Sequence, residues 1–512
     1  MDAVPGRVRA RALDALAAGL AAYIPRVLEA TGTPGLNVAV AAGDDMWEAG
    51  FGLANARAGE PMTASTRGRV GSISKVYTAI AALQLVEAGL LDLEQPVNQI
   101  LEGRLDVTNP HGDREVTPLD LLTHRSGLAV DTVEGRSGVP EPLDVALRRI
   151  FREDRRREYH TGASRWTAKV GERLQYSSLG VAVLGLVVES RLASGESIAE
   201  FIQRATLDPL GLASTHFAGP GATTHATADG GLLSIGYARF GRTCVPTPSV
   251  ASSLYPSVGL VSTPGDHVRV LAELLRAGTH GGRLLGAETV AQMTAPCVST
   301  GRQAPDRWPG VPTAIGLGLE LTEGADGVES FGHLGAYPWG WWNAGVAFPR
   351  FGVAVAAFCN VWDMTRWHNR LDQSAPGLVL RYVSDALEQS TRARARLRSE
   401  PSWDWKRSYA AGALLAERLR GALGIEAVIS DEDVARMTAG AVGMAPRLED
   451  LDIAAFADGV RSMNGGAVTP SSIREWMTAN GELERQDLPL LALELGRAGP
   501  FPSPLRAFSE AG

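Results

Sequence analysis

Apolar positions recur along this chain at two periods. Val76, Ile80, Leu83 and Val86, with Ala79, Ala81 and Ala82 between them, follow the 3.6-residue spacing of a helix packed on most of its surface. Residues 1–25 read as a first amphipathic helix, and 266–278 as another. Thr117 followed by Pro118 marks a helix start, and Gly127 a stop, which predicts a helix over 117–128. Short apolar runs at 35–43 and 46–55, joined through Gly43-Asp44-Asp45, predict two strands and a turn. Strand-like runs return at 314–321, 341–349 and 351–360. Strands at both ends with helices between imply an α+β unit: one sheet built from the N- and C-terminal parts, a helical subdomain inserted in the middle, and a cleft where they meet.

The chain has 512 residues, more than one typical core. An Arg-rich run with a proline near 390–406 marks a boundary, so the expected division is a catalytic domain over 1–395 and an all-helical accessory region over 396–512. Between 129 and 170 lies a polar insertion. Its mixed charges, RRIFREDRRREYH at 148–160, predict a solvated surface helix, with an anion-binding lid as the alternative.

Composition narrows the function classes. Hydrophobic content of 45% and charged content of 21% are those of a globular protein, and a net charge of -8 argues against a nucleic-acid partner. Three widely spaced cysteines, Cys244, Cys297 and Cys359, offer neither a disulfide framework nor a metal cluster. No metal and no cofactor are expected. Asp14 interrupts the N-terminal apolar run, so that run reads as a helix and not a signal peptide. With no uncharged apolar stretch of about 18 residues, no membrane span is expected, and the expected location is cytoplasmic.

Ser72 and Lys75 carry the candidate chemistry. Ser72 could be only a helix cap and Lys75 a solvated side chain, but a cation in the first turn opposes the helix dipole by roughly 0.3–1 kcal/mol. Gly71 before the serine permits a tight turn with close backbone approach. A serine hydroxyl is a weak nucleophile until a base takes its proton, and a lysine three residues on lies on the same helix face.

Ser72-Ile73-Ser74-Lys75, then Tyr176-Ser177-Ser178, then His333-Leu334-Gly335 come in that order. Together with LLTHRSGL (121–128), GERLQYSSLG (171–180), GLVSTPGD (259–266) and GLGLE (316–320), they resemble the motifs of the serine β-lactamase and penicillin-binding-protein superfamily. The likeness is greatest to class C β-lactamases, D-alanyl-D-alanine carboxypeptidases and related esterases and transacylases, and it runs from about residue 10 to residue 390. It implies a serine β-lactamase-like fold with Ser72 as nucleophile. Lys75 and Tyr176 would share the base role, and Tyr176 would later protonate the leaving group. The backbone N–H groups of Ser72 and Ala336 would form the oxyanion hole, and Ser178, His333 and Gly335 would contact substrate.

Three departures modify that picture. Ser178 stands where β-lactamases have asparagine, His333 where they have lysine, and Val170 where a proline is usual. A histidine of ordinary pKa is mostly neutral at pH 7, so a substrate carboxylate loses its fixed cation. The aromatics of AYPWGWW (336–342) divide between core and pocket. Tyr337, Trp339 and Trp341 are expected to line a pocket for an apolar acyl group. The expected function is cleavage of a small-molecule ester or amide through an acyl-enzyme, with water or a second substrate, an amine or alcohol, as acceptor. The alternatives are a β-lactamase or D-Ala-D-Ala carboxypeptidase, and a catalytically silent binding protein of the same fold.

Overall fold

The computed structural model describes residues 6–396 apart from 129–134, 137–140, 153–165, 194, 218–231, 241–242, 249–250, 303–310, 325–326, 338–339 and 364–373. These residues belong to a first unit, Met1–Val383, except for a helical stretch of a second, Ser384–Gly512. The accessory region expected over 396–512 lies, but for its first residue, outside the described residues.

Nine antiparallel strands form the main sheet. They are β1 (Gly35–Ala42), β2 (Asp45–Asn55), β3 (Glu60–Pro61), β4 (Val298–Ser299), β5 (Ala314–Ile315), β6 (Glu320–Gly324), β7 (Gly327–Tyr337), β8 (Trp341–Phe348) and β9 (Val353–Cys359). Their order is β4-β5-β6-β7-β8-β9-β1-β2-β3. The first and last strands of the sheet in chain order join where β1 pairs with β9, from Leu36 opposite Cys359 to Ala42 opposite Val353. Nearly every residue of β1, β8 and β9 is buried, side chains of both parities included, which is the burial of strands covered on both faces.

Among the described helices are α1 (Gly6–Thr31), α2 (Ser74–Glu87), α3 (Pro118–Leu122), α4 (Ser178–Arg191), α5 (Pro264–His280) and α6 (Ala375–Arg396). Helix α1 packs on β1 and β2, and α5 on β1, β8 and β9. Between β3 and β4, α2, α3 and α4 pack together around Ile80, Leu83, Leu121, Leu122, Leu179 and Val183, all fully buried. This is the expected α+β arrangement of a terminal-strand sheet with an inserted helical part. No described helix is long and apolar enough to cross a membrane.

Local expectations fared differently. The helix expected over 117–128 begins as foreseen. Thr117 Oγ1 accepts from Asp120 N at 3.3 Å and Asp120 Oδ2 accepts from Thr117 N at 3.1 Å, a reciprocal cap. It ends at Leu122, because His124 takes a left-handed φ of 56° that no right-handed helix can continue through. The strand expected over 314–321 is two strands, broken by a turn in which Gly318 has φ 74° and packs directly on Ala79 of α2. In the insertion, residues 143–152 form an amphipathic helix with Leu143, Ala146, Leu147 and Ile150 buried, so its start is anchored to the core and is not a fully solvated face. The rest of the basic run, 153–160, lies outside the described residues.

Candidate active site

Ser72 sits in a single tight turn, Gly71–Ile73, that precedes α2. Gly71 is left-handed, with φ 57°, and a methyl group on it would collide with the carbonyl of Ala336 in β7. Gly335, next along that strand, is equally constrained, since a methyl there would collide with the carbonyl of Val70. Two glycines therefore let the serine turn and β7 meet backbone to backbone. That contact brings the backbones of Ser72 and Ala336, the expected oxyanion donors, to one place.

Ser72 does not cap α2. The residue before the helix is Ile73, and no side chain caps it. Lys75 Nζ instead lies 2.9 Å from Ser72 Oγ and 3.1 Å from the carbonyl oxygen of Ser257. Lys75 is almost completely buried, and both of these contacts are to neutral oxygens. Ser74, between the two, holds the turn: its hydroxyl donates to Gly71 O at 2.7 Å and accepts from Leu260 N at 3.0 Å.

Tyr176 precedes α4, whose first turn is capped by Ser177 Oγ accepting from Gly180 N at 3.0 Å. The Tyr176 ring lies 5.0 Å from Lys75 Nζ, 4.5 Å from the His124 ring and 6.1 Å from the His333 ring. Ser178, in the first turn of α4, is fully buried. His333 on β7 is buried, and its Nδ1 lies 2.5 Å from Leu334 O. A carbonyl only accepts, so Nδ1 carries a proton.

Two neighbours of these side chains are not apparent from the motifs. Glu320, from β6, accepts from Leu334 N at 2.8 Å and lies 3.7 Å from His333 Nδ1. Burial pushes its carboxyl up to about 7, against the opposing pull of the Leu334 N–H, Lys75 and Arg302. His124 is held well below the usual imidazole pKa by burial and by the nearby charges of Lys75 and His333. Both residues lie inside stretches that carried the resemblance, GLGLE and LLTHRSGL, but nothing in local spacing marks either side chain as adjoining the site. Among the described residues, no group of three or more His, Cys, Asp or Glu is arranged to hold a metal ion.

The structure thus gathers Ser72, Lys75, Tyr176, His333, Gly335 and Ala336. It corrects the expected acyl pocket. Tyr337 and Trp341, opposed across β7 and β8, are buried in a cluster with Val258, and Trp341 Nε1 donates to Ser234 Oγ at 3.1 Å. The Tyr337 ring lies 5.5 Å from the Arg69 guanidinium. These two aromatics share the strand face of His333 and Gly335 but lie farther along it, where Val258 and Ser234 cover them. Trp339 lies outside the described residues.

A terminal-strand sheet, an inserted helical part and a Ser-x-x-Lys turn between them define a β-lactamase-type hydrolase. Residues 20–375 match the family model described as Beta-lactamase, and the chain belongs to that family. It is 29% identical to penicillin-binding protein 4 of Amycolatopsis lactamdurans, over 59% of this chain and 74% of that one. It is also 33% identical to esterase EstB of Burkholderia gladioli, over 34% of this chain and 44% of the relative. Among solved structures, the octameric penicillin-binding protein homologue from Pyrococcus abyssi shares the fold, with a TM-score of 0.57 at 22% identity, covering 73% of this chain and 77% of that one.

Proposed function

We propose that this chain is an acyl-serine enzyme acting on a small-molecule ester or amide. Ser72 Oγ attacks the carbonyl carbon as its one proton passes to a neutral Lys75, which relays a proton through Tyr176. The oxygen of the tetrahedral intermediate is held by the N–H groups of Ser72 and Ala336, and removing one such donor typically costs about 10²–10³ in rate. Collapse breaks the bond to the leaving group, which takes a proton from Tyr176. Water, or an amine or alcohol, then adds to the acyl carbon while giving a proton to the Tyr176–Lys75 pair, and that proton returns to Ser72 Oγ as the acyl–serine bond breaks.

One observation carries this reading: Lys75 Nζ, on a buried side chain, is 2.9 Å from Ser72 Oγ. With Lys75 neutral, the same contact runs in reverse and the serine hydroxyl donates to nitrogen. The 5.0 Å approach of the Tyr176 ring to Lys75 supports its place in the relay. Hydrolysis and acyl transfer use the same residues, and the choice between them rests on which acceptor reaches the acyl-enzyme. A cytoplasmic setting is part of this proposal.

Reading the chain as a β-lactamase or carboxypeptidase draws on the penicillin-binding relative. His333 and the carboxyl of Glu320 beside it oppose that reading, since they supply no fixed cation for a substrate carboxylate. The deciding experiment is covalent labelling with a p-nitrophenyl acyl ester followed by mass spectrometry. The adduct is expected on Ser72 and absent from Ser72→Ala. A label on another residue sinks the mechanism, and no label with any ester, amide or β-lactam favours a silent binding protein.

A further inference from the structure

We propose that His124 is a positioning residue for Tyr176, gripping the chain on both sides of the tyrosine and packing against its ring. The inference rests on reading Tyr176 as part of the proton relay. Three contacts converge. The carbonyl of His124 accepts from Gln175 N at 2.7 Å, its Nδ1 accepts from Ser177 N at 3.2 Å, and its ring centroid lies 4.5 Å from that of Tyr176, between them in sequence. One residue thus holds positions 175, 176 and 177. The adjoining Arg125 carbonyl accepts from Gly171 N at 2.7 Å, so the start of the same loop is tied to the same segment.

The backbone of His124 is what makes the grip possible. Among the described residues only Glu102 and His124 are non-glycine with positive φ, and His124 is the buried one. Continuing α3 in right-handed geometry would swing both the carbonyl and the imidazole away from residues 175–177. The sparsely populated conformation is maintained where it orders a loop that bears a candidate catalytic side chain. Because a backbone N–H donates to Nδ1, that nitrogen holds a lone pair and the neutral ring carries its proton on Nε2. Lys75 of α2, His333 of β7 and Tyr176 face the ring, and the two basic neighbours work with burial to keep it neutral.

The test uses the full chain and counts active sites by the final stoichiometry of covalent acylation. His124→Gly keeps left-handed freedom and removes ring and acceptor. His124→Asn keeps tolerance for positive φ and restores an acceptor near the Nδ1 position. Per active site, His124→Gly is expected to lower kcat by roughly 10–100-fold with KM changed less than about threefold, a misplacement effect. His124→Asn is expected to regain most of the loss. In a Tyr176→Phe background, His124→Gly is expected to cost less than about threefold, since a positioning residue has nothing left to position. An equal loss in both backgrounds, or a loss confined to the number of titratable sites, overturns the role of His124. Full turnover in Tyr176→Phe alone overturns the relay reading itself. Should neither variant fold, ¹⁵N-histidine NMR of the unaltered protein decides: a bare Nδ1 with protonated Nε2 supports the grip, and a protonated Nδ1 overturns it.

Discussion

Gly71 and Ala336 lie in backbone contact across the seam between the serine turn and the sheet, close enough that no side chain fits on the glycine. Gly71 also occupies left-handed space, at φ 57°. The position of Ser72 against β7 therefore depends on the absence of one methyl group.

That dependence can be measured. Gly71→Ala is expected to cost about 1–3 kcal/mol of stability from backbone strain and roughly 100-fold or more in kcat from displacement of the serine turn. Gly59→Ala is the control, because Gly59 has φ 69° and open space around it. The control should carry only the strain. Equal activity losses in the two variants would show that the clash with Ala336 is unimportant.

Ser72, Lys75 and Tyr176 are expected to act as one relay. Lys75→Met and Tyr176→Phe should each lower kcat by orders of magnitude, and the double variant should cost little beyond the worse single one, since members of one proton relay are strongly non-additive. Steady-state kinetics on the four proteins checks this. Additive losses would assign Lys75 and Tyr176 separate roles.

Substrate preference should follow position 333. A charge-assisted hydrogen bond to a carboxylate is worth roughly 1.5–3 kcal/mol, so His333→Lys should improve acylation by a cephalosporin by roughly ten to a hundred and fifty-fold over the parent. The parent should prefer neutral aryl esters. Values of kcat/KM for one chromogenic cephalosporin and one neutral ester on both proteins decide it, and a parent that turns over the cephalosporin faster than every neutral ester is a β-lactamase.

The buried carboxyl of Glu320 should leave a signature in stability. Its folded pKa is raised, to about 7, chiefly by burial, so between about 4.5 and 7 the folded state binds the proton that the unfolded state has released. The contribution to stability is then full below the unfolded pKa and is lost as pH rises through the folded one. Glu320→Gln should remove this slope and become the more stable protein above pH 7, by on the order of 3 kcal/mol. Urea midpoints of both proteins from pH 5 to 8.5 test it. Parallel curves would mean that Glu320 is ionised throughout.

Much of this site was legible from local spacing. The three-residue step from Ser72 to Lys75 spans about one helical turn, from the tight turn into the first turn of α2, and their polar atoms lie 2.9 Å apart in the fold. Likewise Thr117, Pro118 and Asp120 determine a helix start among near neighbours. Strand-like runs at 35–55 and 314–360 with helical spacing between them were enough to foresee the sheet with its helical insertion.

Tertiary structure decided the rest, because those relationships join residues distant in the chain. The aromatic character of Tyr337 and Trp341 was visible in the sequence, but strand alternation says only that successive residues face opposite ways. His333, Gly335 and Tyr337 share one face, and what sets Tyr337 and Trp341 apart is the packing of Val258 and Ser234 against that end of the β7–β8 pair. Glu320 neighbours His333 only through the pairing of β6 with β7. Gly71 is constrained by Ala336, and His124 breaks its helix to grip residues 175 and 177, more than fifty positions away. Local propensity weighs a residue against its near neighbours in sequence, whereas a buried contact weighs it against whatever the fold brings within a few ångströms.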